Sequence, residues 1–230
     1  MPGEVYPPGL YVRESAGLEF DRVSFFSDAI YAIAMTLLVV ELHLPEGAAL
    51  RTPGEMLAAI SATGPQIFGF FLGFVVLGRY WMAHHEFFAS LRSLDQRLMA
   101  INLVYLSIVA FSPFPVSLIS DYQANPASFM LFAVSMAAIS GLETVMIHRA
   151  ARHGHLRRPM SERGLRRALI LSGTPVLFML GSLPLGLINP GMAFLSWLLM
   201  YPLGAWMARH LPDPDQGGPE DALDPGRDAD

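Results

Sequence analysis

The chain has 230 residues, 53% of them hydrophobic and only 15% charged, whereas soluble domains carry nearer 25% charged residues. Its mean hydropathy of +0.40 points to a membrane protein, and the formal net charge of −5 is weighted by an acidic stretch in the last twenty residues. There is no cysteine, which excludes thiolate metal sites.

A membrane-spanning helix needs about 20 largely apolar residues, because the hydrocarbon core is about 30 Å thick and a helix rises 1.5 Å per residue. Residues 1–19, with several prolines and glycines, are expected to form a flexible N-terminus. The first apolar segment, DRVSFFSDAIYAIAMTLLVVELHLP, carries Arg22, Ser27 and Asp28, then twelve uncharged residues before Glu41. Beyond it, Glu55 and Arg79 enclose 23 uncharged residues, Arg97 and Asp121 enclose 23, and Asp121 and Glu143 enclose 21. Arg167 and Arg209 enclose 41, enough for two spans with Asn189-Pro190-Gly191 as the turn. The reading is therefore an all-α integral membrane protein with six spans, near 20–43, 60–83, 98–120, 126–148, 165–187 and 190–209. Residues 210–230 are acidic and rich in proline and glycine, the composition of a disordered tail.

All fifteen basic residues are arginine, and they set the orientation. With six spans both termini share a side. On that side fall Arg13, Arg22, Arg79, Arg92, Arg97, seven arginines between 149 and 167, Arg209 and Arg227, while Arg51 stands alone on the other. The positive-inside rule puts both termini in the cytoplasm. The arginine cluster at 149–167 fits that topology signal and is also a candidate for anionic lipid.

A helix starting at Asp28 would be too short to cross, so Asp28 is expected inside a helix that begins near Asp21. A carboxylate there must face protein or water. Helical phase puts Ser24, Asp28, Tyr31 and Met35 on one face, and Ala29, Ile33, Thr36, Leu37 and Val40 on roughly the opposite one. The polar face is expected to pack into the subunit. Candidate partners are Trp81, His84 and His85 near the end of the second span and Asn102 near the start of the third, in an Asp–His or Asp–Asn network. The other face, read from periodicity alone, fits lipid contact or helix packing. Gly69-x-x-x-Gly73 suggests close helix packing.

The motif Arg22-x-x-x-Phe26-Ser27-Asp28 resembles the RxxxFSD signature at the start of the first helix of the transmembrane protein 175 family of potassium channels. The following AIYAIAMTLLVVEL is similar to that family's first helix. Trp81-x-x-His84 resembles its tryptophan–histidine pair, and Asn102 with SPFP at 112–115 resembles features of its third helix. The resemblance covers all six spans in layout and these stretches in motif.

The resemblance implies a homotetramer in a prokaryotic plasma membrane, with a central pore lined by the first helix of each subunit and potassium as the permeant ion. The family's hydrophobic constriction falls five, nine and twelve places after the signature aspartate, here Ile33, Leu37 and Val40. Thr36 matches a pore-lining hydroxyl, while Ala32 stands where relatives often have serine. Arg22, Phe26, Ser27, Asp28, Trp81, His84 and Asn102 would be scaffolding that holds the lining helix in register. The spacing i, i+4, i+7 independently puts Ile33, Leu37 and Val40 on one face. Four copies around an axis would form apolar rings able to gate by dewetting.

No TVGYG-like filter is present, and the turn between spans five and six is too short for a re-entrant pore loop. A proton- or cation-coupled transporter would use Asp28, Glu41, Glu143 and His84 as a relay, but the sequence lacks paired Gly/Pro interruptions in two halves. A membrane enzyme with a cytoplasmic metal among His84, His85, Glu86, His148, His153 and His155 would lack the H-E-x-x-H order. The expectation is thus a channel with no enzymatic activity, no bound metal, no cofactor and no nucleic-acid partner.

Overall fold

The computed structural model describes residues 8–47, 50–211 and 215. Residues 8–19 belong to the first helix, α1 (Pro8–Leu37), which corrects the expectation of a flexible stretch there. Pro8 sits at the first helical position, where its missing N–H costs nothing, and Leu10–Glu19 contains only one glycine to oppose propagation. The expected disorder of 210–230 falls almost wholly outside the described residues.

At its far end α1 tightens into a 3-10 turn, Leu38–Glu41. A short helix that the span count did not anticipate follows, α2 (Pro53–Ala62). Its start is a capping box. The Thr52 hydroxyl accepts from the Glu55 N–H at 3.2 Å, and Glu55 Oε2 accepts from the Thr52 N–H at 2.9 Å. The next helix, α3 (Gly64–Ser90), runs 27 residues and passes the expected end at 83. Its extra two turns bury His84, Phe87 and Phe88 in the subunit.

The third expected span is two helices, α4 (Gln96–Phe111) and α5 (Pro113–Asp121). Pro113 cannot donate to the preceding turn, and the Ser112 N–H and hydroxyl both donate to Val109 O. The fourth is α6 (Pro126–Arg152), started by the Asn125 side chain accepting from the Ala127 N–H. The fifth is divided at Ser182, as Pro184 suggests, into α7 (Glu162–Gly181) and α8 (Leu183–Ile188). Asn189 alone separates α8 from α9 (Pro190–Trp197), and α10 (Met200–His210) follows. Among the described residues five stretches are long and apolar enough to cross a membrane: 20–41, 64–90, 96–121, 126–152 and 162–188. The sixth expected span corresponds to the shorter α9 and α10.

The buried core lies between α1, α3, α4 and α6, around Tyr31, Leu77, Tyr105, Met136 and Ile139. Two glycines bring α3 against α5. A Cβ at Gly69 would lie 1.8 Å from Ser120 Oγ, and one at Gly73 would lie 2.9 Å from Val116 Cγ1. Both positions therefore need a hydrogen in place of a side chain, as the Gly-x-x-x-Gly spacing suggests.

At one end of the bundle the α3–α4 loop is laced to the α6–α7 loop. Leu91 and Leu156 form an antiparallel bridge, Arg92 Nε donates to Gly154 O at 2.8 Å, and Arg157 Nε donates to Leu91 O at 2.9 Å. Gly154 has φ +69°, the left-handed region that glycine enters without strain. Asp95 caps α4 by accepting from the Leu98 N–H at 2.7 Å and also pairs with Arg149. The Arg149 hydrogen bonds, then the Leu98 N–H, hold the Asp95 carboxyl well below the usual carboxylate range. The ring contact of Phe20 with Phe88, at 6.0 Å, puts the early part of α1 at this same end.

Candidate functional site

The site is the first apolar helix and what holds it. Ser27, Tyr31, Ala34 and Leu38 are buried against the subunit, with Ser24, Asp28 and Met35 half-buried beside them. Ala29, Ile33, Thr36, Leu37 and Val40 are exposed, Ile33 by 54%, Leu37 by 44% and Val40 by 69%. A 3.6-residue period carried on a packed helix produces this division. The 3-10 turn extends the stripe, because residues three apart eclipse in that geometry and Val40 lies over Leu37. The Thr36 hydroxyl donates to Ile33 O at 2.9 Å, leaving its oxygen facing outward with the stripe.

Behind the stripe two polar connections fasten α1. In the first, Trp81 Nε1–H donates to Asp28 Oδ1 at 2.8 Å. In the second, His84 Nε2–H donates to Asn102 Oδ1 at 2.9 Å, and Asn102 Nδ2 donates to Ser27 Oγ at 3.1 Å. The Ser27 hydroxyl in turn donates to Val23 O at 2.9 Å. The carboxylate is thus met by the indole, and the expected Asp–His or Asp–Asn network is corrected to a separate His–Asn–Ser chain. The helix geometry explains this. Asp28 is half-buried at the rim beside Trp81, whereas Ser27 points straight into the core.

Ser27, His84 and Asn102 are each at most 1% exposed, so every polar atom lost there would go unsatisfied. The His84 ring stacks on Phe88 at 4.4 Å and on Tyr105 at 5.1 Å. The Tyr31 and Tyr105 hydroxyls bond to each other one turn deeper. Sequence reading did not pair these tyrosines. The available signals were Tyr31 on the inward face of α1 and Tyr105 one turn after Asn102.

Two signature residues stay outside this group. Phe26 is 49% exposed, and Arg22 is exposed with no partner among the described residues. The structure therefore brings together Ser27, Asp28, Trp81, His84 and Asn102, but not Arg22 or Phe26. Asp28, Glu41, Glu143 and His84 are not joined to one another by any hydrogen bond among the described residues, and no three His, Asp or Glu side chains gather there as a metal site would require.

The fold and site define a multi-span helical membrane protein whose first helix is fastened on one face and presents an apolar stripe with one hydroxyl on the other. Residues 22–113 match the family model described as endosomal/lysosomal potassium channel TMEM175. A potassium channel of Streptomyces collinus is 31% identical over 182 residues, covering 77% of this chain and 84% of that one. The human endosomal/lysosomal proton channel TMEM175 is 29% identical over 147 residues, 58% of this chain but only 29% of the longer human protein. A solved TMEM175 homolog from Chamaesiphon minutus superposes with a TM-score of 0.64 at 24% identity, covering 84% of this chain and 98% of that one. The chain belongs to the TMEM175 family, a family of ion channels and not of enzymes.

Proposed function

We propose that the chain is a potassium-preferring cation channel of the leak type, assembled as a homotetramer in the cell membrane. Six spans per subunit, α9 and α10 together forming the last, put both termini in the cytoplasm. The first helices surround the axis, and Ile33, Leu37 and Val40 form three apolar rings with the Thr36 hydroxyls between them. The rings set the narrowest radius and can close by dewetting. Trp81, His84 and Asn102 act from behind through Asp28 and Ser27, fixing the rotation of the helix and hence which side chains face the axis.

The observation that carries this reading is the opposition of two faces on α1: a stripe exposed at Ile33, Leu37 and Val40, backed by buried Tyr31, Ala34 and Leu38, with Ser27 and Asp28 fastened to the subunit on the inner face earlier in the helix. The names borne by the Streptomyces and Chamaesiphon relatives support potassium as the ion. The arginines at 149–167 would lie at the cytoplasmic surface, where anionic headgroups can reach them.

Reconstitution in liposomes with a potassium gradient tests the reading. Potassium flux is expected, larger than sodium flux under the same gradient and independent of any coupled ion. Flux is expected to change when Ile33, Leu37 or Val40 is replaced by alanine. Absence of flux, flux requiring a coupled ion, or flux indifferent to all three replacements would contradict it.

A further inference from the structure

The seven arginines between 149 and 167 divide into two groups. Arg149 pairs with Asp95, Arg152 makes a two-pronged pair with Glu162, and Arg157 and Arg167 donate to the carbonyls of Leu91 and Leu211. Arg158, Arg163 and Arg166 are exposed and have no partner among the described residues. Arg163 and Arg166 lie on the first turns of α7 and line a groove of about 590 Å³ together with Leu169 and Ile170. They sit where the helix dipole is already positive, and the acidic side chain beside them in the groove, Glu162, is already engaged by Arg152.

The chain itself returns to this spot. Arg167 Nε donates to Leu211 O at 2.6 Å. Asp215 Oδ2 accepts from the Ser161 N–H at 3.1 Å, at the residue that caps α7. The same oxygen lies 1.9 Å from where a Cβ on Gly164 would be. A carboxylate from the C-terminal segment thus occupies the positive end of α7, in a niche open because residue 164 is glycine. Residues 211–230 carry seven acidic side chains and one arginine, a net charge of −6, opposite in sign to the three guanidinium groups that have no partner among the described residues.

We propose that the acidic segment 211–230 docks on this arginine face of α7, with Asp215 as its first anchor, and competes there with anionic phospholipid headgroups. The competition rests on the reading of the 149–167 cluster as a headgroup surface; the docking does not. In a neutral leaflet the segment neutralises the arginines. In an anionic leaflet the headgroups, present in large excess, displace it.

The chain has no cysteine, so Ala222→Cys carries a single nitroxide label in the full-length protein. In phosphatidylcholine nanodiscs at low salt its spectrum is expected to contain an immobilised component. That component is expected to be lost in Arg163→Glu/Arg166→Glu and in about 1 M salt, where screening shortens to about 3 Å. It is expected to persist in Arg51→Glu, which alters the other end of the bundle. It is also expected to fall when phosphatidylserine is included. A label equally mobile in the parent and in the double arginine variant would overturn the docking. An immobilised component unchanged by phosphatidylserine would overturn the competition. Because the readout is label mobility and not flux, either failure is separate from failure of the channel reading.

Discussion

His84 and Asn102, from α3 and α4, meet at 2.9 Å in the buried centre of the subunit, where Asn102 Oδ1 accepts from His84, and Asn102 Nδ2 donates in turn to Ser27 on α1. Three helices therefore share one polar chain. Asn102→Ala removes an acceptor and a donor at once, leaving the buried His84 Nε2–H without a partner and Ser27 with only its bond to Val23 O, at a cost of about 1–3 kcal/mol. A lowered thermal midpoint of the purified protein, followed by tryptophan fluorescence, is expected, together with reduced flux. Asn102→Ala with an unchanged midpoint would show that the chain does not hold the bundle.

The hydroxyls of Tyr31 and Tyr105 are each other's partners in a dry site. Removing one leaves the other unpaired, whereas removing both leaves an apolar contact of nearly the same shape. Tyr31→Phe and Tyr105→Phe are each expected to cost about 1 kcal/mol, and the double variant about as little as either alone. A double-mutant cycle on the unfolding midpoint reads the coupling, and strict additivity would disprove it.

Gly73 packs where a methyl group would press on Val116. Gly73→Ala is expected to destabilise by about 1–3 kcal/mol through overpacking. Val116→Ala added to it should recover most of that loss, although Val116→Ala alone should also destabilise. Failure of the pair to recover stability would place the strain elsewhere than the α3–α5 contact.

The pairing of Asp95 with Arg149 makes the loop end of the bundle acid-sensitive. Its carboxyl is held below the value it has in an unfolded chain. The resulting stabilisation is fully present above the unfolded value near pH 4 and is lost as pH falls through the folded one. Asp95→Asn keeps a side chain that can cap α4 but loses the ion pair. Its midpoint should lie below that of the parent at pH 7, with the difference shrinking under pH 4. A difference that stayed constant down to pH 2 would refute the assignment.

The rotation of α1 was legible because an apolar helix with polar residues at one end has a single workable phase. Ser24, Asp28, Tyr31 and Met35 do face the subunit, and Ile33, Leu37 and Val40 do face outward. The partner of Asp28 was less legible, since Trp81, His84 and Asn102 all lie within reach and only three-dimensional depth decides between them. The helix breaks at Ser112 and Ser182 escaped a count of uncharged residues, which measures hydropathy and is blind to a proline's missing donor. The helix α2 escaped for a related reason. Its capping box, Thr52 to Glu55, ends on the charge from which the uncharged run was counted.

Whether the first helix lines the ion path is tested most directly by chemical modification in the cysteine-free chain. Single cysteines at Ile33, Thr36, Leu37 and Val40, and at Leu177 on α7, which is 75% exposed, are reconstituted in liposomes. Potassium flux is measured before and after a charged thiol reagent. Modification is expected to abolish flux at the four α1 positions and to leave it unchanged at Leu177. Flux that survives modification along α1 but fails at Leu177 would contradict the account.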